Sequence, residues 1–595
     1  MSPIVTAIKR RKGKHVGIGL LACVFPIILI ITVIARAIEQ GYDNDMWFIL
    51  ATGRRIVERG IPYVNPFSVY KGMAFVAQQW LICVIHWLAW SVGGMVGMGV
   101  VMLAMCVLLL LSMAFVTRET MQGKAWAFPT LCVAAVTIIC TSSYMSFRPQ
   151  MVTMVLMLVT IGIMERYRHT NDARTLAWLI PLMILHANTH MSMMWMDVAI
   201  VVCYALPSGH AINGFLGKAH GLYARMSVML SDADVPTGEG TDSVMRRSAP
   251  HAVTLADDGY ARKPIWIAIL GMVVASCVNP YGIDGALYLV HSYGAAGYGN
   301  YISEMGNLTP LTAYYGVMLI VMVVLGAMAI GKRGIHAIDM PMTLMVLGTV
   351  YISFQHVRSV WILPVFAFPF VVKTLCVRRA DDEMTALPVI SDGTHANDDS
   401  PYPSLIPSLR ITITVCVIAI AVAFAGMSLY SLGTTEQYSD SFSTPVNAME
   451  WLNRKYPSMG SRSKVQVCTM FNMGGYVEYN GYLVSIDPRP ETWNDAISKD
   501  RQDRYNAYVD AVSDNGGTTA DKLVKSAYFD YVIASSNSHM EQAALDEGYV
   551  TMMTGNGYVL LGKKGNGSTA GQTTSTTQVG GTGNTTSMSD SDNLG

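Results

Sequence analysis

Two carboxylates, Asp43 and Asp45, stand just beyond the first apolar segment, in Gly41-Tyr42-Asp43-Asn44-Asp45-Met46-Trp47. Charge at a membrane edge is costly unless it is paired or used. A carboxylate within reach of a hydroxyl takes its proton as a general base. Beside a sugar in transfer, it also stabilises the positive charge that develops on the ring. Further polar residues break later apolar runs: Arg148-Pro149-Gln150, His186 to His190 with Asn188 between them, Asn279 to Gly282, Glu304, and Gln355-His356-Val357-Arg358. Arginine grips phosphate oxygens in a fork and stays charged, so Arg148 or Arg358 suits a lipid-phosphate leaving group.

Each feature also has a plainer explanation. Asp45 could be the N-cap of a helix, with Asp43 a solvated turn residue. Arg148 could snorkel to the headgroups. His186 and His190 lie four apart and on a helix could chelate a metal, but no third ligand is evident and a hydrogen-bonded rim is commoner. Asp197, inside an apolar run, is either a proton-relay residue or the cap of a broken helix. Residues two apart share one side of an extended segment but not one face of a helix. Asp43 and Asp45 therefore serve one site only if the backbone between them is extended.

The elements that must position these residues follow from periodicity. Met46, Trp47, Ile49, Leu50, Gly53, Ile56 and Val57 alternate at helical spacing with Arg54, Arg55, Glu58 and Arg59, ending at Gly60 and Pro62. This predicts an amphipathic helix lying in the membrane interface with the acidic pair at its mouth. Apolar runs of spanning or near-spanning length lie at about 16–35, 95–116, 126–144, 150–164, 176–190, 191–206, 264–279, 311–330, 336–354, 359–376 and 411–430. The run at 176–190 is short and holds Pro181, which predicts a broken helix. Gln79 to Trp90, with Trp80, Trp87 and Trp90, reads as an interfacial helix or as a span. Placed in the interface, it puts the basic loops on one side together with the basic N-terminus: Arg118/Lys124, Arg166/Arg168/Arg174, the 207–263 loop, Lys332/Arg333 and Arg378/Arg379. The expectation is a polytopic α-helical membrane protein of about 11 spans, N-terminus cytoplasmic. All the polar clusters then face the extracytoplasmic side.

Composition agrees. Of 595 residues, 52% are hydrophobic and only 14% charged, with 41 basic residues balancing 41 acidic ones. That is the membrane class, and zero net charge speaks against a nucleic-acid partner. Ten cysteines are scattered without a C-x-x-C pair, and the C-terminal part holds only Cys468, which excludes an internal disulfide there. The methionines, 40 of them, suit lipid-facing and core packing.

The chain divides into a multi-pass membrane domain (1–430) with interfacial helices in its first outer loop (38–94), an extracytoplasmic α/β domain (431–564) and a Gly/Ser/Thr-rich tail (565–595). In the second part a helical pattern over Pro445 to Tyr456 and strand-like Lys464 to Cys468 are followed by strand-like Tyr482 to Ile486. Helical 495–526, strand-like Tyr531 to Ala534, another helix and two strands ending at Leu561 complete it. The tail and a Gly/Ser/Asp-rich stretch near 231–258 have the composition of disordered chain.

The residues also resemble a family. Asp45 to Arg54, Gly60-Ile61-Pro62, Asn65-Pro66-Phe67-Ser68, Gly72 and Gln79-Trp80-Leu81 are similar to the first outer loop of bacterial GT-C-type glycosyltransferases, multi-pass enzymes that use polyprenyl-phosphate sugars. Phe147 to Gln150, Ala187 to His190, Asn279 to Gly282, Ile302-Ser303-Glu304, Arg358 and Ile486-Asp487-Pro488-Arg489-Pro490-Glu491 resemble later landmarks of that group. Ile49 and His186 depart from it, standing where relatives often carry histidine and tryptophan.

The resemblance implies transfer of a sugar, with inversion, from a polyprenyl-phosphate donor to an extracytoplasmic glycan or protein acceptor at the bilayer. Asp45 is then the expected catalytic carboxylate and Asp43 the second candidate. Arg148, Gln150, Asn188, His190, Glu304, His356 and Arg358 would bind substrate, and a divalent cation is left open as cofactor. A lipid-linked-sugar flippase would need polar residues on both membrane sides and an inverted repeat, and neither is visible. A non-catalytic envelope protein with a glycan-binding outer domain is the remaining alternative.

Overall fold

The computed structural model describes residues 22–123, 125, 127–206, 259–293, 339–376, 405–434, 438–498, 502–513 and 517–563. Glu304, the run at 311–330, most of the 207–263 loop and the 565–595 tail lie outside these residues.

Helix α1 (Ala22–Glu39) leads through the polar stretch into α2 (Met46–Arg59). Helix α3 runs from Trp80 to Met121 with a break at Gly94, whose φ of 54° is cheap only for glycine. The two limbs fold back tightly, since a Cβ on Gly97 would fall 2.0 Å from the Ala89 carbonyl oxygen. The tryptophan-rich segment is thus set apart from the long apolar limb that follows it, as its sequence suggested. Helices α4 (Ala127–Thr141), α5 (Gln150–Thr170), α6 (Leu179–Thr189), α7 (Trp195–Ala205), α8 (Lys263–Ala275), α9 (Met340–Gln355), α10 (Ile362–Leu375) and α11 (Leu405–Thr434) follow.

Among the described residues, six helices are long and apolar enough to cross a membrane, by length and composition: Ala22–Glu39, Trp80–Met121, Ala127–Tyr144, Gln150–Thr170, Val357–Leu375 and Thr414–Thr434. Met191–Ala205, Lys263–Ala275 and Met340–Gln355 are apolar but shorter. The expected count of about 11 is not reached on this criterion. One reason is the 176–190 run, which forms a 3-10 turn over Ala173–Trp178 and then the 11-residue α6.

Helix α2 departs from its sequence reading. Met46 to Gly53 are all buried, with Ile56, so its first two turns are enclosed rather than half-immersed. Gly53 permits this: a Cβ there would sit 2.0 Å from the Cys83 carbonyl oxygen of α3. The basic face goes to protein. Arg54 donates to the Tyr479 carbonyl at 2.8 Å, with its guanidinium over the Trp87 and Tyr479 rings. Amphipathicity reports that one face needs polar company, and here the company is the C-terminal domain.

That domain is a five-stranded sheet in the order β2-β1-β3-β5-β4. Strands β1 (Gln466–Cys468), β2 (Leu483–Val484) and β3 (Tyr531–Ser535) are parallel, while β4 (Tyr549–Thr554) and β5 (Tyr558–Lys563) join antiparallel. Crossover helices include Arg504–Val512, Gly517–Lys525 and His539–Asp546, the alternation its sequence suggested. The outer edge at β2 is not left open. The Val484 amide donates to the Phe67 carbonyl at 2.8 Å, and the Val69 amide donates to the Val484 carbonyl at 3.0 Å. The loop after α2 therefore continues the sheet.

Candidate functional site

The site begins with the backbone at Gly41. Its carbonyl accepts from the Phe147 amide at 3.0 Å, which pins the start of α5 beside the acidic stretch. Arg148 follows and its Nη2 donates to Asp43 Oδ1 at 2.6 Å and lies 3.2 Å from Asp45 Oδ2. All three side chains stay about one-fifth exposed, at 18%, 22% and 18%. One guanidinium thus joins the two carboxylates, the charge-assisted contact that such pairs need at a membrane edge.

The backbone route differs from the expected one. Asp45 is helical (φ −63°, ψ −19°), not extended. The carboxylates converge because an arginine fork from another element reaches both. The capping role also moves. Asp45 stands at the N-cap position without a side-chain cap bond, and the Asp45 amide donates instead to Asp43 Oδ1 at 3.0 Å. Asp43 therefore both shapes the turn and holds Arg148.

Arg148 also lines an apolar cavity between the two limbs of α3 and the start of α5, with Ile82, His86, Met102, Met105, Phe147 and Val152 among its walls. Gln150, in the first turn of α5, is buried, and its Oε1 lacks a hydrogen-bond partner.

The remaining sequence candidates divide. His190, buried at the end of α6, pairs its Nδ1 with Thr153 Oγ1 at 2.7 Å. Asn188 is committed elsewhere: its Oδ1 accepts from Trp80 Nε1 at 2.9 Å, and its Nδ2 donates to the Ile184 and Val278 carbonyls. It braces helices. His356 terminates α9, its amide donating to the Ile352 carbonyl. Arg358, on the turn Val357–Ser359, lies close enough to act electrostatically on both His190 and Glu491.

Glu491 was legible as the last residue of the Ile486 to Glu491 landmark but not as a site residue. Its Oε1 accepts from Tyr288 Oη at 2.9 Å and from Gln78 Nε2 at 3.3 Å. Close packing raises its carboxyl above the usual range, against the pull of Tyr288 and of Arg358. Thr153, by contrast, carried no sequence signal beyond a hydroxyl in an apolar run.

The same landmark supplies the joint between domains. Arg489 donates to both oxygens of Glu478 and both of Asp487, and its Nη1 to Thr52 Oγ1 of α2 at 3.3 Å. Its guanidinium lies over Phe48, Phe75 and Phe67, with centroids 4.8–5.6 Å away.

No group of three His, Cys, Asp or Glu is placed to hold a divalent cation among the described residues. Between Asp43 and Asp45 stands the Arg148 guanidinium. His186 and His190 turn towards Thr153, not towards a shared ligand position.

No protein-family model matches the chain, and no curated protein matches it. Among solved structures it is similar to an Archaeoglobus fulgidus oligosaccharyltransferase tethered with an acceptor peptide, at 11% identity and TM-score 0.49, over 87% of this chain and 69% of that one. It is similar also to archaeal AglB from Archaeoglobus fulgidus in complex with an inhibitory peptide and a dolichol-phosphate, at 10% identity and TM-score 0.47, with the same coverage. ArnT from Cupriavidus metallidurans is a third, at 12% identity and TM-score 0.45, covering 90% of this chain and 97% of that chain. Likeness at these scores decides nothing about activity.

Proposed function

We propose that this protein is an integral-membrane glycosyltransferase that moves a sugar from a polyprenyl-phosphate donor to an extracytoplasmic acceptor, a glycan or a protein. The observation that carries this reading is Arg148, which joins two carboxylates and lines an apolar cavity at once. Apolar walls beside an arginine suit a lipid tail and the phosphate that ends it.

When the donor phosphate enters, Arg148 exchanges part of its carboxylate contact for phosphate oxygens. The looser contact, to Asp45, gives way first, because Asp43 is held by both the guanidinium and the Asp45 amide. Asp45 then takes the proton of the acceptor hydroxyl as that oxygen attacks the anomeric carbon. The bond from carbon to phosphate oxygen breaks, and the lipid phosphate leaves on Arg148 with Arg358 as the second cation. A single displacement of this kind inverts the anomeric centre.

The test uses full-length protein in proteoliposomes with a panel of polyprenyl-phosphate sugars. Wild type transfers sugar, whereas Asp45→Asn loses at least about 100-fold at near-normal expression. Asp43→Asn is the milder variant. Transfer by Asp45→Asn at the wild-type rate would overturn the assignment. If wild type transferred no sugar from any donor and bound glycan only with residues 438–563 present, the glycan-binding alternative would replace it.

A further inference from the structure

Helices α5, α6 and α7 share a buried polar chain that the transfer chemistry above does not use. Asp197 of α7 and His186 of α6 are both fully buried, with Oδ2 to Nδ1 at 2.6 Å. Thr160 of α5 donates to the other Asp197 oxygen at 3.0 Å. His186 Nε2 lies 3.4 Å from Thr153 Oγ1, and that hydroxyl lies 2.7 Å from His190 Nδ1. Two imidazoles from one short helix thus share one hydroxyl from another, with a carboxylate at the inner end. A buried ionisable pair is expensive to keep, and a histidine tautomer is set by what its other nitrogen bonds.

One assignment of the protons links the whole chain. Asp197 accepts, so His186 carries its proton on Nδ1 and presents a bare Nε2. Thr153 can then donate to that nitrogen while accepting from His190 Nδ1–H. His190 is left with a bare Nε2. A proton arriving at His190 Nε2 allows a concerted shift in which His190 Nδ1–H passes to Thr153 Oγ1 and the Thr153 proton passes to His186 Nε2. His190 ends neutral with its proton on Nε2, and His186 ends as an imidazolium against Asp197. No proton is lost, and the charge has moved one helical turn inward, next to its counter-ion.

We propose that Asp197, His186 and Thr153 form a proton relay that holds His190, beside Arg358, as a proton acceptor. The relay's outer end is set by α5, since Thr153 Oγ1 also contacts the Pro149 carbonyl, one residue beyond Arg148. The charged and titratable groups facing it are Arg358 from the 357–359 turn, His186 from α6 and Asp197 from α7. Arg358 opposes a charge resting on His190, whereas the Asp197 carboxylate lies 2.6 Å from His186 Nδ1. The relay rests on the proposed transfer only for its purpose, which is to carry away the proton that Asp45 has taken from the acceptor. Its existence does not depend on it.

Nitrogen-15 spectra of histidine-labelled full-length protein test the relay without any substrate, with His186→Gln and His190→Gln supplying the assignments. Wild type should show both rings protonated on Nδ1 at high pH and responding together over one pH interval. Thr153→Val, nearly isosteric, should make the two rings respond separately, and Thr153→Ser should restore the coupling. Independent titration in wild type, or unchanged coupling in Thr153→Val, overturns the relay whatever the protein transfers. In the transfer assay, Thr153→Val should cut turnover about 10-fold or more and shift its pH profile, with Thr153→Ser within about threefold of wild type. An unshifted profile in Thr153→Val overturns the catalytic purpose.

Discussion

Two clusters in this protein share one composition, an arginine with two carboxylates, and differ in almost everything else. Arg489 with Glu478 and Asp487 is enclosed, the side chains 9%, 0% and 0% exposed, and the guanidinium lies over three phenyl rings. Every edge of that fork is occupied, and it joins α2 to the C-terminal domain. Arg148 with Asp43 and Asp45 keeps about one-fifth of each side chain exposed and borders a cavity. The first cluster resembles a rivet, since nothing can reach it. The second has the same charges but stays partly exposed, and an arginine that can change partners is what phosphate chemistry requires.

Breaking the enclosed cluster should have the largest effect. Arg489→Ala strands two buried carboxylates, a loss of about 3–5 kcal/mol, and should appear as failed accumulation or as rapid proteolysis between the domains. Wild-type protease resistance in that variant would show that the phenyl rings and α2 packing suffice. Next in size is the open cluster. Arg148→Lys keeps the charge but loses the fork, so folding should survive while transfer falls about 10- to 100-fold. Equal loss of thermal stability in the two variants would erase the distinction between them.

The smallest effect concerns Glu491, a neighbour of Asp487 in the enclosed cluster. Its raised carboxyl pKa means that the folded state holds the proton more tightly than the unfolded chain. Below the ordinary value of about 4.3 both states are protonated and nothing is lost. As pH rises past it, the unfolded chain ionises first and folding stability declines until the folded carboxyl ionises too. Glu491→Gln removes that decline and keeps an oxygen for Tyr288. Its thermal midpoint should exceed wild type at pH 7.5, with the gap closing towards pH 4. A gap that widens on acidification would place a net stabilising charge at Glu491 instead.

The comparison also explains what was legible in the sequence. Asp43, Asp45 and Arg148 stood out because charge is rare beside apolar runs, and rarity in that setting is informative. Asn188 stood out equally, yet it ties Trp80 to the Val278 carbonyl, because a polar group in an apolar region needs partners whether or not it meets a substrate. The α/β alternation of the C-terminal domain was readable from period and turn residues. The short Gly474–Tyr479 helix that packs on α2 was not, since six residues are too few for a period to emerge. Nor did any local pattern announce that α2 would be covered. Its cover arrives from a distant part of the chain, as Thr52 and Arg489, 437 residues apart, illustrate.

The loop that continues the sheet at β2 bears on how the chain is made. A strand edge with unpaired amides is a template for pairing with other chains, and here the N-terminal half supplies the cover. During synthesis the loop must wait, membrane helices already emerging, until β2 exists to receive it. A C-terminal domain expressed by itself would carry a naked edge and should associate with its own kind, edge to edge. Secretion of that domain as a free fragment is therefore a route to aggregates, and supplying residues 60–78 in the same compartment is the remedy that the chain's own design suggests.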